Sequence, residues 1–161
     1  MSLKKLAELQ KNIDKKVNER KVVKQWLIGA STTADFTHEV TLTFPFDPKH
    51  TETAEKMYGI FKKRLKDRCY RKKEKKDINM AVVLEGEISG KRLHYHCAMS
   101  CPKHMSNGNF SYRIQSTWQD VVKSEYTRIC FNKYTNDRWI GYMTKELDSR
   151  NTSVISEHTN F

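Results

Sequence analysis

An α+β domain, an antiparallel sheet with helices packed on it, is predicted by three features of the chain. Apolar residues recur at helical spacing over 3–17 and 50–76. Strand-like runs rich in β-branched residues occupy 36–44, 79–87 and 91–100, and the last two are separated only by the turn-forming Ile88-Ser89-Gly90. The 161 residues suit one domain with a real hydrophobic core and leave little room for a second.

Taken in order, Leu3, Leu6, Leu9 or Gln10, Ile13 and Val17 recur at three- and four-residue steps among charged residues, the pattern of an amphipathic helix. After Trp26-Leu27-Ile28 the small residues from Gly29 to Asp35 read as a connection. The strand at 36–44 is stopped by Pro45 and Pro48. A helix over 50–76 buries Ala54, Met57, Tyr58, Phe61 and Leu65, and the hairpin of 79–87 with 91–100 follows. Residues 110–122 form a helix carrying Trp118, residues 125–134 a strand with alternating Tyr126, Arg128 and Cys130, and residues 139–147 a short helix. The polar end is expected to fray. These readings divide the chain into an N-terminal helix and connection at 1–35, a nuclease-sized domain at 36–147 and a polar tail at 148–161. Helices on one face of the sheet would leave the other for a site.

A formal charge of +11 and a pI near 9.5 predict a polyanionic partner. No apolar run approaches the roughly 20 residues of a membrane span, and Met1-Ser2-Leu3-Lys4-Lys5 leads into a charged helix, so no membrane partner is expected. Cys69, Cys97, Cys101 and Cys130 make no C-x-x-C pair, which favours a reducing, cytoplasmic setting. A zinc site through Cys97 and Cys101 is set aside, because Cys97 points away from the nearby histidines and no second cysteine pair completes the ligands. The basic end of the second helix, with Lys62, Lys63, Arg64, Arg68, Arg71, Lys72 and Lys73 beside Tyr70, suits contact with phosphates.

His94 and His96 lie two positions apart in an apolar strand, so both imidazoles project on one face, as metal ligands do. A third ligand is expected from the partner strand, where Glu85 or Glu87 can face the histidines depending on register. Glu85 is preferred because it ends the apolar run 81–84 and precedes Gly86, whereas Glu87 is nearer the turn. Two histidines and a carboxylate leave coordination positions open, as a catalytic centre requires; the oxygen donors suit Mg²⁺ or Mn²⁺, and imidazole tilts the choice to Mn²⁺. Tyr142 and Lys145 share a helical face. A phenol nucleophile is mostly protonated at neutral pH and needs an aligned electrophile, and a lysine beside it stabilises developing negative charge. Taken alone, the pair reads equally as a packed ring and a solvated cation.

With these residues in place the chain resembles the HUH endonucleases, and among them the single-tyrosine rolling-circle replication initiators, or Rep proteins, of plasmids, phages and single-stranded DNA viruses. Val40-Thr41-Leu42-Thr43-Phe44 is similar to the family's first-motif strand, His94-Tyr95-His96 to its metal pair, and Tyr142-Met143-Thr144-Lys145 to its Y-x-x-K helix, over roughly 36–147. The resemblance implies a central five-stranded antiparallel sheet of RNA-recognition-motif-like topology, and a carboxylate ligand in the acid-glycine context of Leu84-Glu85-Gly86. It implies that Tyr142 attacks a single-stranded DNA phosphodiester at a replication origin, with or without a hairpin, leaving a 5′-phosphotyrosine link and a free 3′-OH. Initiators of eukaryotic viruses usually carry a following helicase, which does not fit here, so a host helicase is a candidate partner and the chain reads as a small initiator or an excised nuclease domain. Residues 86–92 only echo a phosphate loop: one residue is missing between the glycines, and Arg92 stands where Ser or Thr should. The alternatives are a transposase or relaxase of the same superfamily and a non-catalytic module in which Tyr126, Tyr134 and Trp139 stack bases. An iron oxygenase is set aside, since its barrel needs more strands than the sequence offers.

Overall fold

A computed structural model describes residues 3–48, 50–71, 74–86, 90–145, 155–156 and 158–160. Its elements are α1 (Leu3–Ala34), β1 (His38–Thr43), α2 (Thr51–Cys69), β2 (Met80–Glu85), β3 (His94–Met99), α3 (Asn107–Val122), β4 (Ile129–Lys133) and α4 (Arg138–Met143). The four strands form one antiparallel sheet in the order β2-β3-β1-β4. Among the described residues the sheet has four strands, not the expected five. The free edge of β2 is instead met by the C-terminal tail through two isolated bridges, Val83 with Ile155 and Met80 with Asn160. At these positions the tail is paired rather than frayed: Met80 and Asn160 exchange backbone hydrogen bonds of 2.8 and 2.9 Å, and Ser156 N–H donates to the Val82 carbonyl at 3.0 Å. A polar tail supplies no apolar alternation from which to read this, yet its backbone satisfies the edge groups that β2 would otherwise present.

The period-two alternation of the strands sorts their side chains onto two faces. Val40, Leu42, Val82, Leu84, Tyr95, Cys97 and Met99 point towards α2 and α3, where they meet Tyr58, Phe61, Leu65, Phe110, Ile114 and Trp118 in the main core. Trp118 anchors α3 to the sheet, its ring edge-on to Phe44 at 5.2 Å and its indole N–H donating to the Thr43 carbonyl at 2.8 Å. Cys97 lies in this core against the Tyr58 hydroxyl, and burial pushes its thiol up to about 12, so it is a protonated packing group there.

The second face carries helices too, contrary to the one-sided arrangement expected from the sequence. Ala81, Val83 and Ala98 pack there with Leu27 and Ala34 of α1 and with Ile140 and Met143 of α4. The sheet contributes small side chains, which lets the two helices approach. Residues 29–34, read above as a connection, continue α1. The Ser31, Thr32 and Thr33 hydroxyls turn back to the carbonyls of Ile28, Gly29 and Ala30 at 2.7, 2.7 and 3.0 Å, a mode that lets these residues stay in a helix when packing holds it. Burial of Leu27, Ser31 and Ala34 supplies that packing, and Asp35, at φ 55°, ends the helix in the left-handed region. The sequence stripe Leu3, Leu6, Leu9, Gln10, Ile13 and Val17 has its side chains outside the described set.

The helix expected over 50–76 stops at Cys69 because its last carbonyls are taken from outside. His104 Nε2 lies 2.9 Å from the Cys69 carbonyl, and the Arg113 guanidinium donates to that of Arg68. The lysines beyond it favour helix by propensity, and tertiary contacts override them. No helix among the described residues is long and apolar enough to cross a membrane.

Candidate metal and tyrosine centre

The antiparallel register of β2 with β3 sets Glu85 directly opposite His94. That is the register in which Glu85 faces the histidines; Glu87 lies outside the described residues. Gly86 follows with φ +117°, and a Cβ there would stand 2.7 Å from the Arg92 carbonyl oxygen. The glycine is therefore required twice, by its backbone conformation and by the close approach of the opposing strand. That same Arg92 carbonyl lies 2.9 Å from His94 Nδ1. A carbonyl only accepts, so Nδ1 carries the proton and the neutral ring presents a bare Nε2.

Three acceptor atoms converge as a result. Glu85 Oε2 lies 2.9 Å from His94 Nε2 and 2.7 Å from His96 Nε2, and the two nitrogens are 3.2 Å apart. His96 Nδ1 sits 3.0 Å from the Thr41 hydroxyl on β1, the strand that pairs Thr41 with His96. With Nδ1 donating to Thr41, His96 also turns a bare Nε2 inward. Lone pairs held this close repel unless a cation lies between them, and both imidazole and carboxylate are divalent-metal donors. Glu85, His94 and His96 are accordingly the group among the described residues whose ligand atoms could hold one ion. Burial, reinforced by His94, lowers the His96 pKa to about 4 against the pull of Glu85, so a proton is a poor occupant at neutral pH. Burial alone would raise the Glu85 carboxyl, but Lys145 and His96 outweigh it and hold it below the usual range, keeping it an anion.

The α4 helix delivers the second half of the site. Ile140 and Met143 are fully buried against the sheet, so the turn between them presents Tyr142 at its edge, half exposed. Its ring lies 5.1 Å from that of His96 and stacks on Trp139 at 5.3 Å, while the Trp139 indole N–H is anchored to the Cys97 carbonyl at 3.0 Å. Although α4 ends at Met143, Lys145 N–H still reaches the Tyr142 carbonyl at 3.2 Å, which preserves their shared face. Lys145 Nζ then lies 2.8 Å from Glu85 Oε1 and 3.8 Å from the centre of the Tyr142 ring. Burial would lower the pKa of this ammonium, but Glu85 and Tyr142 outweigh it, so it is firmly charged.

All five residues singled out from sequence as metal ligands or catalytic groups thus meet at one end of the sheet. The α2 cations do not join them. That helix covers the opposite face, where Lys62 donates to the His158 carbonyl at 2.9 Å and Arg68 pairs with Asp120 and bonds Ser116 and Thr117. Lys63, Arg64 and Arg71 are exposed there, and Lys72 and Lys73 lie outside the described residues. Sequence reasoning did not assign the positioning roles of Thr41 and Trp139; the only advance signals were Thr41's place in the first-motif strand and the three-residue step from Trp139 to Tyr142.

The Thr41 contact has a measurable consequence. A hydrogen-bond partner on the far nitrogen of a ligating imidazole orients the ring, and its loss typically costs 10- to 100-fold in metal affinity. Thr41→Val, nearly isosteric, is expected to weaken Mn²⁺ binding by about that factor in calorimetry, and Thr41→Ser to restore it. Parent-like affinity in the valine variant would remove Thr41 from this role.

The fold and site define an α+β protein with a metal-competent Glu-His-His centre abutting a tyrosine-lysine pair. The chain belongs to the ORF2 family of replication-associated proteins, whose model matches residues 37–150 and so takes in every one of these residues. No curated protein and no solved structure matches the chain.

Proposed function

We propose that the chain is a replication initiator of the HUH type: a metal-dependent, site-specific single-stranded DNA endonuclease and strand transferase acting in rolling-circle replication. The observation that carries the reading is that Lys145 bridges Glu85 and Tyr142, tying the metal-competent trio to a candidate nucleophile. Glu85, His94 and His96 would hold the divalent ion, Mn²⁺ or Mg²⁺, which when bound polarises a phosphate oxygen and offsets its charge. Tyr142 attacks the phosphorus of a DNA phosphodiester, giving up its phenolic proton to solvent. The bond from phosphorus to the 3′-oxygen breaks, that oxygen takes a proton, and the 5′-phosphate stays esterified to Tyr142. Attack by a 3′-OH on the ester reverses the step and rejoins strands. Throughout, Lys145 offsets negative charge on the phenolic oxygen and the phosphate, while stacking on Trp139 limits the ring to one orientation.

Membership of a replication-associated family and a charge of +11 support DNA as the substrate. Lys63, Arg64 and Arg71, on the far side of the domain, are then available to DNA beyond the reacting segment. The division of the chain into a helical N-terminal segment, a nuclease domain at 36–147 and a tail is part of the same proposal. The test is incubation with random-sequence single strands and Mn²⁺, then mass spectrometry of DNA-linked peptides. An adduct on Tyr142 is expected; tight binding that survives chelation, with no adduct from linear or hairpin-bearing pools, would favour a non-catalytic module.

A further inference from the structure

A cleft of about 660 Å³ opens beside the histidines and Tyr142, between the segment that leads into β3 and the one that leads into β4. Lys91, Arg92 and Arg128 line it, and no Asp or Glu does among the described residues. Its outer wall carries Tyr126, which is 94% exposed and so contributes little to the core. A single exposed aromatic is ordinary on a protein surface. Here it coincides with three cations, with the reactive centre and with the Thr127 hydroxyl, which is buried in the cleft wall without a hydrogen-bond partner among the described residues.

The segment bearing Tyr126 is also held in place. The Arg128 carbonyl accepts from the Thr43 hydroxyl at 2.6 Å and from its N–H at 3.3 Å, Gln119 donates to the Glu125 carbonyl at 2.9 Å, and Tyr126 N–H donates to the Ser124 hydroxyl at 3.3 Å. Its aromatic platform is therefore presented with little ordering left to do on binding. Bases in a duplex are paired and stacked on one another, so a lone ring at a cleft wall is suited to an unpaired base, and the cations to the phosphates that flank it.

We infer that this cleft is the seat of the unpaired nucleotides adjoining the scissile phosphate, with Tyr126 stacking a base and Lys91, Arg92 and Arg128 holding the backbone. The inference rests on the nuclease reading for the position of that phosphate, and it assigns the strand-holding role to this face rather than to the basic face of α2. Stacking on one aromatic is worth roughly tenfold or more in affinity, and each phosphate contact to a single strand adds about 0.7 to the slope of log affinity against log salt.

The experiment uses the full chain with a chelator, so that no cleavage is required, and short random-sequence single strands carrying 5-iodouracil. Photocrosslinks are expected on the peptide containing Tyr126. Tyr126→Ala should bind roughly tenfold more weakly and Tyr126→Phe like the parent. The pair Lys91→Gln with Arg128→Gln should flatten the salt slope by about 1.4. Crosslinks confined to α2, no crosslink at all, or Tyr126→Ala binding within twofold of the parent would overturn the proposal. Failure of the nuclease reading looks different: crosslinks at Tyr126 with no metal-dependent adduct at Tyr142 would leave a nucleic-acid groove without the chemistry.

Discussion

Tyr142→Phe is expected to abolish covalent attachment to DNA, with a fall in nicking of at least about 10³-fold, while affinity for single strands stays within about twofold of the parent. The split follows from what the substitution leaves in place. Phenylalanine retains the ring that stacks on Trp139, meets His96 edge-on and lies under Lys145, so the geometry of α4 and the charge around it persist and only the attacking oxygen is lost. Thermal stability should accordingly change little, because the ring is half exposed and its packing is conserved. The check is a denaturing gel for the adduct run beside fluorescence anisotropy for binding. Adduct persisting in the variant would transfer the nucleophile to another tyrosine. Tyr126 would be the first candidate, since it lines the same cleft. Tyr134 is poorly suited, because its ring packs on Phe36 at 5.5 Å, its hydroxyl is engaged with Asp137 at 3.3 Å, and burial raises its pKa.

The residues of this centre were legible in the sequence to different depths, for physical reasons. A strand alternates faces with a period of two, so His94-Tyr95-His96 already implied two imidazoles on one side. The short connection to 79–87 implied an antiparallel partner bringing a carboxylate opposite, and the observed register of Glu85 with His94 is that arrangement. Thr41 and Trp139 are different. Their contacts depend on β1 lying beside β3 and on α4 crossing the sheet, pairings between segments tens of residues apart that no local pattern encodes. The same distinction runs through the fold. Helices and strands with strong periodicity appear where expected, whereas Gly29 to Ala34 and the tail at 155–160 take their structure from what they pack on. Charge was the least informative signal about place. The densest basic run lies on α2, across the sheet from the histidines, while the cations that line the reactive cleft are scattered over Lys91, Arg92 and Arg128 and form no run at all.

Glu85→Gln is expected to separate function from folding more sharply than any other change at the site. Glutamine keeps the shape of the side chain but replaces one carboxylate oxygen with a donor and removes the negative charge. Mn²⁺ affinity and metal-dependent nicking should fall by at least about 100-fold, since an anionic ligand contacting both histidines is lost. The metal-free fold should not suffer in proportion. In the parent, Glu85 Oε2 faces two imidazole nitrogens whose lone pairs it repels; an amide N–H there donates to one of them. The forfeited pair with Lys145 is partly solvated on the lysine side, where such contacts contribute little. The expected result is a variant whose melting temperature in chelator matches or exceeds that of the parent and which, unlike the parent, is not stabilised by Mn²⁺. Acid sharpens the comparison. With His96 depressed to about 4 in the fold against an ordinary 6.5, the unfolded chain binds more protons between those values, so this residue's contribution to stability is present above pH 6.5 and is lost as pH falls towards 4. Metal binding needs the same neutral imidazoles, so the Mn²⁺-induced rise in the parent's melting temperature should shrink over that window. Glu85→Gln showing parent-like Mn²⁺ stabilisation would move the carboxylate role to Glu87, for which Glu87→Gln is the matched measurement.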